Sequence, residues 1–430
     1  MAKFLLSAMP FTGHVTPMIA VAAALAARGH DVRIYTGGAF AQRVRASGAR
    51  FVPWTQAPDF NENNLSATFP RLVGRKGIRQ IFANIGDLFI GTAPAQLADL
   101  DAEWAREPWD VLVGEESSCG PAFAAERLGV PWATIAIVPL TLPSRQGPPS
   151  GLGLEPGAGA IGRIRDRMLR AIAPQAMRPL RKPLAQARMT AGLAASALAF
   201  DRATYSPELI LATGAPALDH DRTDRPPQLH WIGQLASPAS GAKSVPPWWG
   251  DLDGSPVVHV TQGTQNIDPA DLIRPTIDAL AGRDVLVVVT TGVRGRDELP
   301  FAVPANVRLA GFIPHAQLLP RVSVMVTNGG WGGVLSALSH GIPLIVAGGD
   351  LDKPEVAARI ASAGAGVNLR TGRPRAEKVA AAYERVSAEP SFRAAAERLR
   401  DELAALGGAS AAAAHLERFA ARETGLARYS

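Results

Sequence analysis

Two clusters of residues in this 430-residue chain have the types and spacing to do chemistry, and they lie near opposite ends. The first is Thr327-Asn328-Gly329-Gly330-Trp331-Gly332-Gly333, which follows the β-branched run Val322 to Val326 and precedes a helical stretch from Gly332 to His340. Glycines let a backbone approach a ligand closely, and the first amides of the following helix aim unpaired donors and a positive dipole end at any anion placed there. A nucleotide diphosphate meets that description, although tight packing alone would also use glycines. The second cluster is Phe11-Thr12-Gly13-His14-Val15-Thr16-Pro17, read as a loop between a strand (Lys3 to Met9) and a helix. Thr16 suits the cap of that helix, Pro17 its first position and Gly29 the position just past its end. Asp31 to Tyr35 supplies the next strand, so His14 falls at the carboxyl edge of a parallel sheet, where ligands bind. Of the side chains, histidine is the natural base near neutral pH.

The elements that must position these residues follow a strand-helix alternation along most of the chain. Asp110 to Gly114 reads as a strand, Cys119 to Gly129 as a helix and Val130 to Val138 as a strand, which outlines an N-terminal doubly wound domain. A glycine- and proline-rich stretch from Leu142 to Gly162 reads as a loop, and helical spacing returns from Arg163 to Met189. The turn-rich segment Pro216 to Pro256 suits an interdomain connection. Beyond it, Val257 to Thr261 and Asp284 to Thr290 are buried strands flanking a helix that starts at Asp268-Pro269. Ala376 to Ala421 is alanine-rich and helical, with a break at Gly407-Gly408. The expected division is therefore 1–215, a connection over 216–256, a second domain over 257–405, and a terminal helix over 406–430.

Composition narrows the function classes. With 47% hydrophobic and 19% charged residues the chain reads as globular throughout, and its length provides for two full cores. A net charge of +6 is not concentrated in basic blocks interleaved with aromatics, which argues against nucleic acid as a partner and suits an anionic small molecule. The first thirty residues imitate a secretory signal, but Gly13, His14 and Pro17 interrupt the apolar run, so none is expected. No apolar run reaches about 18 residues, so no membrane span is expected. The single Cys119 excludes an internal disulfide and points to a reducing, cytoplasmic compartment. Asp99-x-Asp101, Asp251-x-Asp253 and Asp350-x-Asp352 lack the strand context of a metal motif, and no metal is assigned.

Taken together, Gly13-His14-Val15-Thr16-Pro17, Phe312-Ile313-Pro314-His315, Asn328-Gly329-Gly330, Gly341-Ile342-Pro343 and Asp352-Lys353 resemble the signature of the family-one, UDP-glycosyltransferase-like enzymes, which include the bacterial macrolide and antibiotic glycosyltransferases. The resemblance covers most of the chain. It implies a GT-B fold, α/β with two Rossmann-like doubly wound domains facing a cleft, and an inverting, metal-independent transfer of a hexosyl group from a dTDP- or UDP-sugar to a hydroxyl of an apolar natural product. His14 takes the place of the family's general base, and its orienting carboxylate is Glu115, or Glu116 if the alignment slips by one. Gly13, Thr264 in Gln262-Gly263-Thr264, Gly329, Gly330, Trp331, Gly332 and Gly333 would line the donor diphosphate. Phe312 and Ile313 would meet the base, with Phe312 replacing the usual tryptophan. Asp352 would hold the sugar.

Three positions depart from the family pattern. Asn328 replaces its phosphate-contacting histidine, Lys353 replaces a sugar-contacting glutamine, and Ser336 stands where UDP-users often carry a ribose-binding glutamate. The asparagine amide and the lysine ammonium both remain donors. The nucleotide sugar would be a co-substrate, with no further cofactor. The acceptor surface is expected in Phe60 to Leu100 and Leu142 to Gly162, and in the first of these Ile78, Ile81, Phe82, Ile85 and Phe89 share helical spacing. In the family the last helix crosses back to the N-terminal domain, a role for His415 to Arg422 here. A homodimer is left open. The rival readings are a non-catalytic sugar-nucleotide-binding auxiliary protein, to which a base would be superfluous, and a GT-B sugar-nucleotide epimerase.

Overall fold

The computed structural model describes residues 1–423 apart from 75–76, 197, 221, 237–244, 264–267 and 293–294. Two parallel sheets organise it. The first has strands β1 (Lys3–Ser7), β2 (Asp31–Thr36), β3 (Arg50–Pro53), β4 (Val111–Glu115), β5 (Trp132–Ala136), β6 (Ile210–Thr213) and β7 (Leu229–Gly233), in the order β3-β2-β1-β4-β5-β6-β7. The second has β8 (Val257–Thr261), β9 (Leu286–Thr290), β10 (Val307–Ala310), β11 (Val322–Thr327), β12 (Leu344–Val346) and β13 (Gly366–Asn368), in the order β10-β9-β8-β11-β12-β13. Strands such as Val111-Leu112-Val113 and Val287-Val288-Val289 are apolar without alternation because helices cover both faces of each sheet and bury every position. This is the GT-B architecture expected from the sequence.

Six helices matter below: α1 (Thr12–Ala27), α2 (Gly159–Ala176), α3 (Trp331–Leu338), α4 (Lys353–Ser362), α5 (Pro390–Ala405) and α6 (Gly408–Glu423). In both sheets the order reverses between neighbouring strands, at β1/β4 and at β8/β11. A crevice opens there, because the connections leave those two strands toward opposite faces. The chain places His14 just after β1 and Glu115 at the end of β4. It likewise places Gln262-Gly263 after β8 and the glycine cluster after β11.

Several boundaries differ from the sequence reading. α1 begins at Thr12, not Thr16, so Gly13 and His14 stand in its first turn and Pro17 lies inside it. The segment read as a connection, 216–256, contains β7, which completes the first sheet beside β6. A proline- and glycine-rich surround masked a short buried strand. Arg163 to Met189 is two helical pieces, with α2 separated from Arg181–Thr190 by a tighter turn at Arg178–Leu180. The helix assigned to Asp268-Pro269 starts later, at Ile273. The tail is also broken at Glu389-Pro390, because Pro390 supplies no amide to continue the preceding helix.

The last two helices pack on different sheets. α5 packs Ala395, Ala396, Leu399 and Leu403 into the second domain. Past Gly407 and Gly408, both at positive φ, α6 packs Ala412, Ala413, Leu416, Phe419 and Ala420 against α1 on the first sheet. Truncating Leu416, which is fully buried there, should cost about 2 to 5 kcal/mol. Leu416→Ala is therefore expected to lower the thermal midpoint clearly, whereas the same change at the exposed Leu198 should leave it nearly unmoved in the same calorimetric scan.

Candidate active site

The site begins with the register of two strands. β1 and β4 pair in parallel with Ser7 opposite Gly114, so the chain leaves β1 directly beside the end of β4. Glu115 is fully buried there, and its Oε1 stands 3.1 Å from His14 Nδ1. The same carboxylate accepts the Met9 amide at 3.4 Å and the Ser117 amide at 2.7 Å, so it is fixed from three sides. A carboxylate at Nδ1 holds the ring proton on that nitrogen and leaves Nε2 as the acceptor. The His14 side chain is 18% exposed, so the ring is not fully enclosed.

Glu116 is engaged elsewhere. Its oxygens accept the amides of Ile137 and Val138, each at 2.8 Å, at the end of β5. Burial, and next the charge of Glu115, push its carboxyl up to about 8. Of the two candidates left open by sequence, Glu115 is the one bonded to the histidine. At His14 itself burial pulls the imidazole down, but Glu115, by charge and hydrogen bond, together with Glu116 and Asp352, carries it above its ordinary value.

The first turn of α1 is capped from a distance. No side chain near Phe11 caps it; instead Glu62 accepts the Thr12 amide at 2.9 Å and the Thr12 hydroxyl as well. Thr16, read as the cap, accepts a bond from Arg43 at 2.7 Å. Pro17 lacks an amide, so the Gly13 carbonyl loses its partner one turn on. Phe11 and Phe89 flank the imidazole with ring centroids at 5.2 and 6.3 Å, and Phe60 lies 5.0 Å from Phe11. Phe89 belongs to a wide π-helical turn, Asn84–Ile90, a form often found at functional sites. Glu62 and Phe60 carried no local signal, because their roles arise from a loop folding back onto α1.

Across the cleft lies the glycine turn. Gly329 has φ +92°, and a side-chain carbon there would meet Val346 at 3.0 Å, so the turn needs glycine for conformation and for space. α3 then starts at Trp331, and its first intrahelical bond comes from the Val334 amide to the Gly330 carbonyl. The amides of Trp331, Gly332 and Gly333 thus have no partner within the helix. Nothing lies within 4 Å of the position a Gly332 side chain would take. Asp352 sits at the start of α4, where burial raises its carboxyl while Lys353 and His14 draw it down. His14 and Asp352 therefore feel each other's charge across the two domains.

Other assigned residues are placed differently from expectation. Asn328 Nδ2 donates to the Gln262 carbonyl and its Oδ1 accepts the Gly330 amide at 3.3 Å, so it clamps the two crevice loops together. Lys353 Nζ donates to Asp350 at 2.7 Å. Trp331 is buried, and its Nε1 donates to Thr213 Oγ1 at 2.9 Å, so the indole anchors the second domain to β6 instead of facing the glycine turn. Ser336 Oγ accepts from Gln234, just after β7, and donates to the Gly332 carbonyl. Ile313 is buried in the core, which leaves only its backbone to a ligand, whereas Phe312 is 46% exposed. Thr264 lies outside the described residues. Among the described residues no group of three His, Cys, Asp or Glu side chains is arranged to hold a metal ion, and no helix is long and apolar enough to cross a membrane.

Comparison with known proteins agrees with this arrangement. Residues 274–418 match the model of the erythromycin biosynthesis protein CIII-like C-terminal domain, and residues 6–144 match the glycosyltransferase family 28 N-terminal domain. The chain is 44% identical over 407 residues to 4'-demethylrebeccamycin synthase of Lentzea aerocolonigenes, covering 94% of this chain and 96% of that one. The chain belongs to the UDP-glycosyltransferase-like natural-product glycosyltransferases. It is also 32% identical over 417 residues to UDP-glucosyltransferase B1 of Starmerella bombicola, covering 92% and 93% of the two chains. Its fold matches that of CalG4, the calicheamicin glycosyltransferase, at a TM-score of 0.72 and 19% identity over 98% of this chain and 99% of that one. The glycosyltransferase of kitacinnamycin matches equally, at 0.72 and 21% identity over 97% and 99%.

The His14–Glu115 pair of this glycosyltransferase has a direct electrostatic consequence. Its folded imidazole titrates above the unfolded value, so protonated His14 favours the folded state below the ordinary imidazole range, and that increment is lost as pH rises through the folded value. Glu115→Gln removes the charge that opposes burial. Its His14 resonance should titrate at lower pH by NMR, and its stability deficit should be larger below the ordinary imidazole range than well above it.

Proposed function

We propose that this glycosyltransferase moves a sugar from a nucleotide diphosphate donor to a hydroxyl of an apolar acceptor, with inversion at the anomeric carbon. The observation that carries the reading is the buried Glu115 carboxylate 3.1 Å from Nδ1 of the partly exposed His14 ring, which leaves Nε2 to act as the base. Nε2 takes the acceptor hydroxyl proton as its oxygen attacks the anomeric carbon from the face opposite the leaving diphosphate. Glu115 stabilises the imidazolium that forms and keeps the ring oriented. The diphosphate departs toward the unpaired amides at the start of α3, whose fixed dipoles need no reorganisation as its charge develops. Asp352 and Lys353 hold the sugar, and the aromatic wall of Phe11, Phe60 and Phe89 receives the apolar acceptor.

The donor is proposed to be dTDP- or UDP-linked. Relatives named UDP-glucosyltransferase favour the second, whereas two spatially similar enzymes, SsfS6 and the spinosyn rhamnosyltransferase SpnG, have been solved complexed with thymidine diphosphate. In this chain Ser336 offers one short hydroxyl, already bonded to Gln234 and Gly332, and no carboxylate for a 2′-hydroxyl. Hydrogen bonds to charged groups contribute roughly 1.5 to 3 kcal/mol, so their absence removes most of the advantage of a ribose over a deoxyribose.

Three outcomes are expected. His14→Ala should lower transfer about a hundred- to ten-thousand-fold while donor binding, read by calorimetry, stays nearly unchanged; normal turnover with an unactivated alcohol would refute the base. An α-linked donor should give a β-linked product, read from the anomeric coupling in its NMR spectrum, and retention would refute single displacement. dTDP should bind at least as well as UDP; a UDP preference above about tenfold, or about 1.4 kcal/mol, would refute the ribose argument.

A further inference from the structure

Helix α2 buries one of its eighteen residues, Asp166, and exposes a row of large apolar side chains. Ile161, Ile164, Met168 and Ile172 are between 57% and 85% exposed. Their spacing of three, seven and eleven residues puts them on one face, a stripe roughly 16 Å long at the usual helical rise. Arg165 and Arg167 border that stripe on its two sides, whereas Arg163 and Arg170 lie on the opposite side of the helix with Asp166. Three more cations, Arg178, Arg181 and Lys182, follow within two turns, and Asp166 is the only acid from 159 to 182. Asp166 faces inward, where it accepts the Gly157 amide at 2.8 Å and pairs with Arg165. Its charge is therefore withheld from the outer face.

We propose that this face docks on an anionic lipid surface. An apolar helical stripe bordered by arginines lies at the headgroup boundary with its side chains in the acyl region and its guanidinium groups among the phosphates. Charge selects this occupant over a second copy, because a two-fold contact would press two cationic faces together. Gln175 is the only neutral hydrogen-bonding side chain on the helix, so the face lacks the polar pattern that sets the register of a protein partner. Arg170 donates to the Gly147 carbonyl and Asp166 holds Gly157, so docking would also bring the 142–162 loop to the lipid. That loop is where an apolar acceptor would enter.

The test is cosedimentation of the full chain with phosphatidylcholine vesicles, with and without phosphatidylglycerol. Binding is expected with phosphatidylglycerol only, weakening as salt rises. Met168→Glu with Ile164→Glu should lower the bound-to-free ratio by roughly tenfold or more, and Arg167→Glu with Arg178→Glu likewise, because each removes one of the two attractions. All four side chains are exposed, and an unchanged thermal midpoint will confirm that the variants are folded. Absence of binding to the anionic vesicles, or undiminished binding by both double variants, overturns the proposal. So does a concentration-dependent dimer in sedimentation equilibrium that Met168→Glu abolishes, which would give the face to a second copy.

Discussion

The pairing of β1 with β4 is the contact on which the site depends. With Ser7 set opposite Gly114, the residues that leave the two strands emerge side by side at the point where the sheet order reverses. One exit carries His14 and the other carries Glu115. A shift of one residue would turn Glu115 toward the opposite face of the sheet, because side chains alternate along a strand. Gly114 also has no room for a side chain, since Pro121 and Trp132 close over it. The buried carboxylate, the raised imidazole and the choice of Glu115 over Glu116 all follow from that register.

A second constraint holds the two domains against each other. Arg359 on α4 is buried and donates to the Leu140 carbonyl at 2.8 Å and to Asp219 at 2.8 Å, both in the first domain's half of the interface. It also pairs with Glu355, which accepts the amides of Gly151 and Gly153 at 3.0 and 3.2 Å. A buried ion pair of this kind adds little net stability, yet removing one member leaves a charge without compensation. The network acts as a geometric lock: it ties the helix that begins at Lys353 to the loop around Gly151 and Gly153. Trp331 and Ser336, expected at the donor, serve the same purpose through Thr213 and Gln234. The glycine turn and part of the interface thus belong to one short helix, which offers its first amides to the cleft and sends Trp331 and Ser336 toward the first domain.

Much of this was legible in the order of residue types. Continuous β-branched runs marked the parallel strands, the alternation with helices marked two doubly wound domains, and Gly407-Gly408 marked the point where the tail turns back. The glycine cluster and the Gly-His-x-x-Pro turn were local in sequence and could be read directly. Where reading failed, the competing effect was nonlocal. Pro17 gave the signal of a helix start, but Glu62, forty-eight residues beyond His14, caps an earlier turn. The strand Leu229–Gly233 was hidden among prolines because its stability comes from pairing with β6 and not from its own propensity.

The sequence by itself determined the fold class, the two crevice loops and the identity of the groups able to donate or accept protons, because these depend on short-range pattern and on side-chain chemistry. Only the tertiary structure decided which of those groups meet. Glu115 and Glu116 are adjacent and chemically the same, yet one is bonded to His14 and the other to the amides of Ile137 and Val138, since successive residues at the end of a strand point to opposite faces. Asn328, Lys353 and Trp331 kept the donor capacity their types provide, but each found a partner within the chain first. A buried or half-buried donor is satisfied by whatever acceptor the fold brings within about 3 Å, and that acceptor is set by packing between distant segments, which no local pattern records.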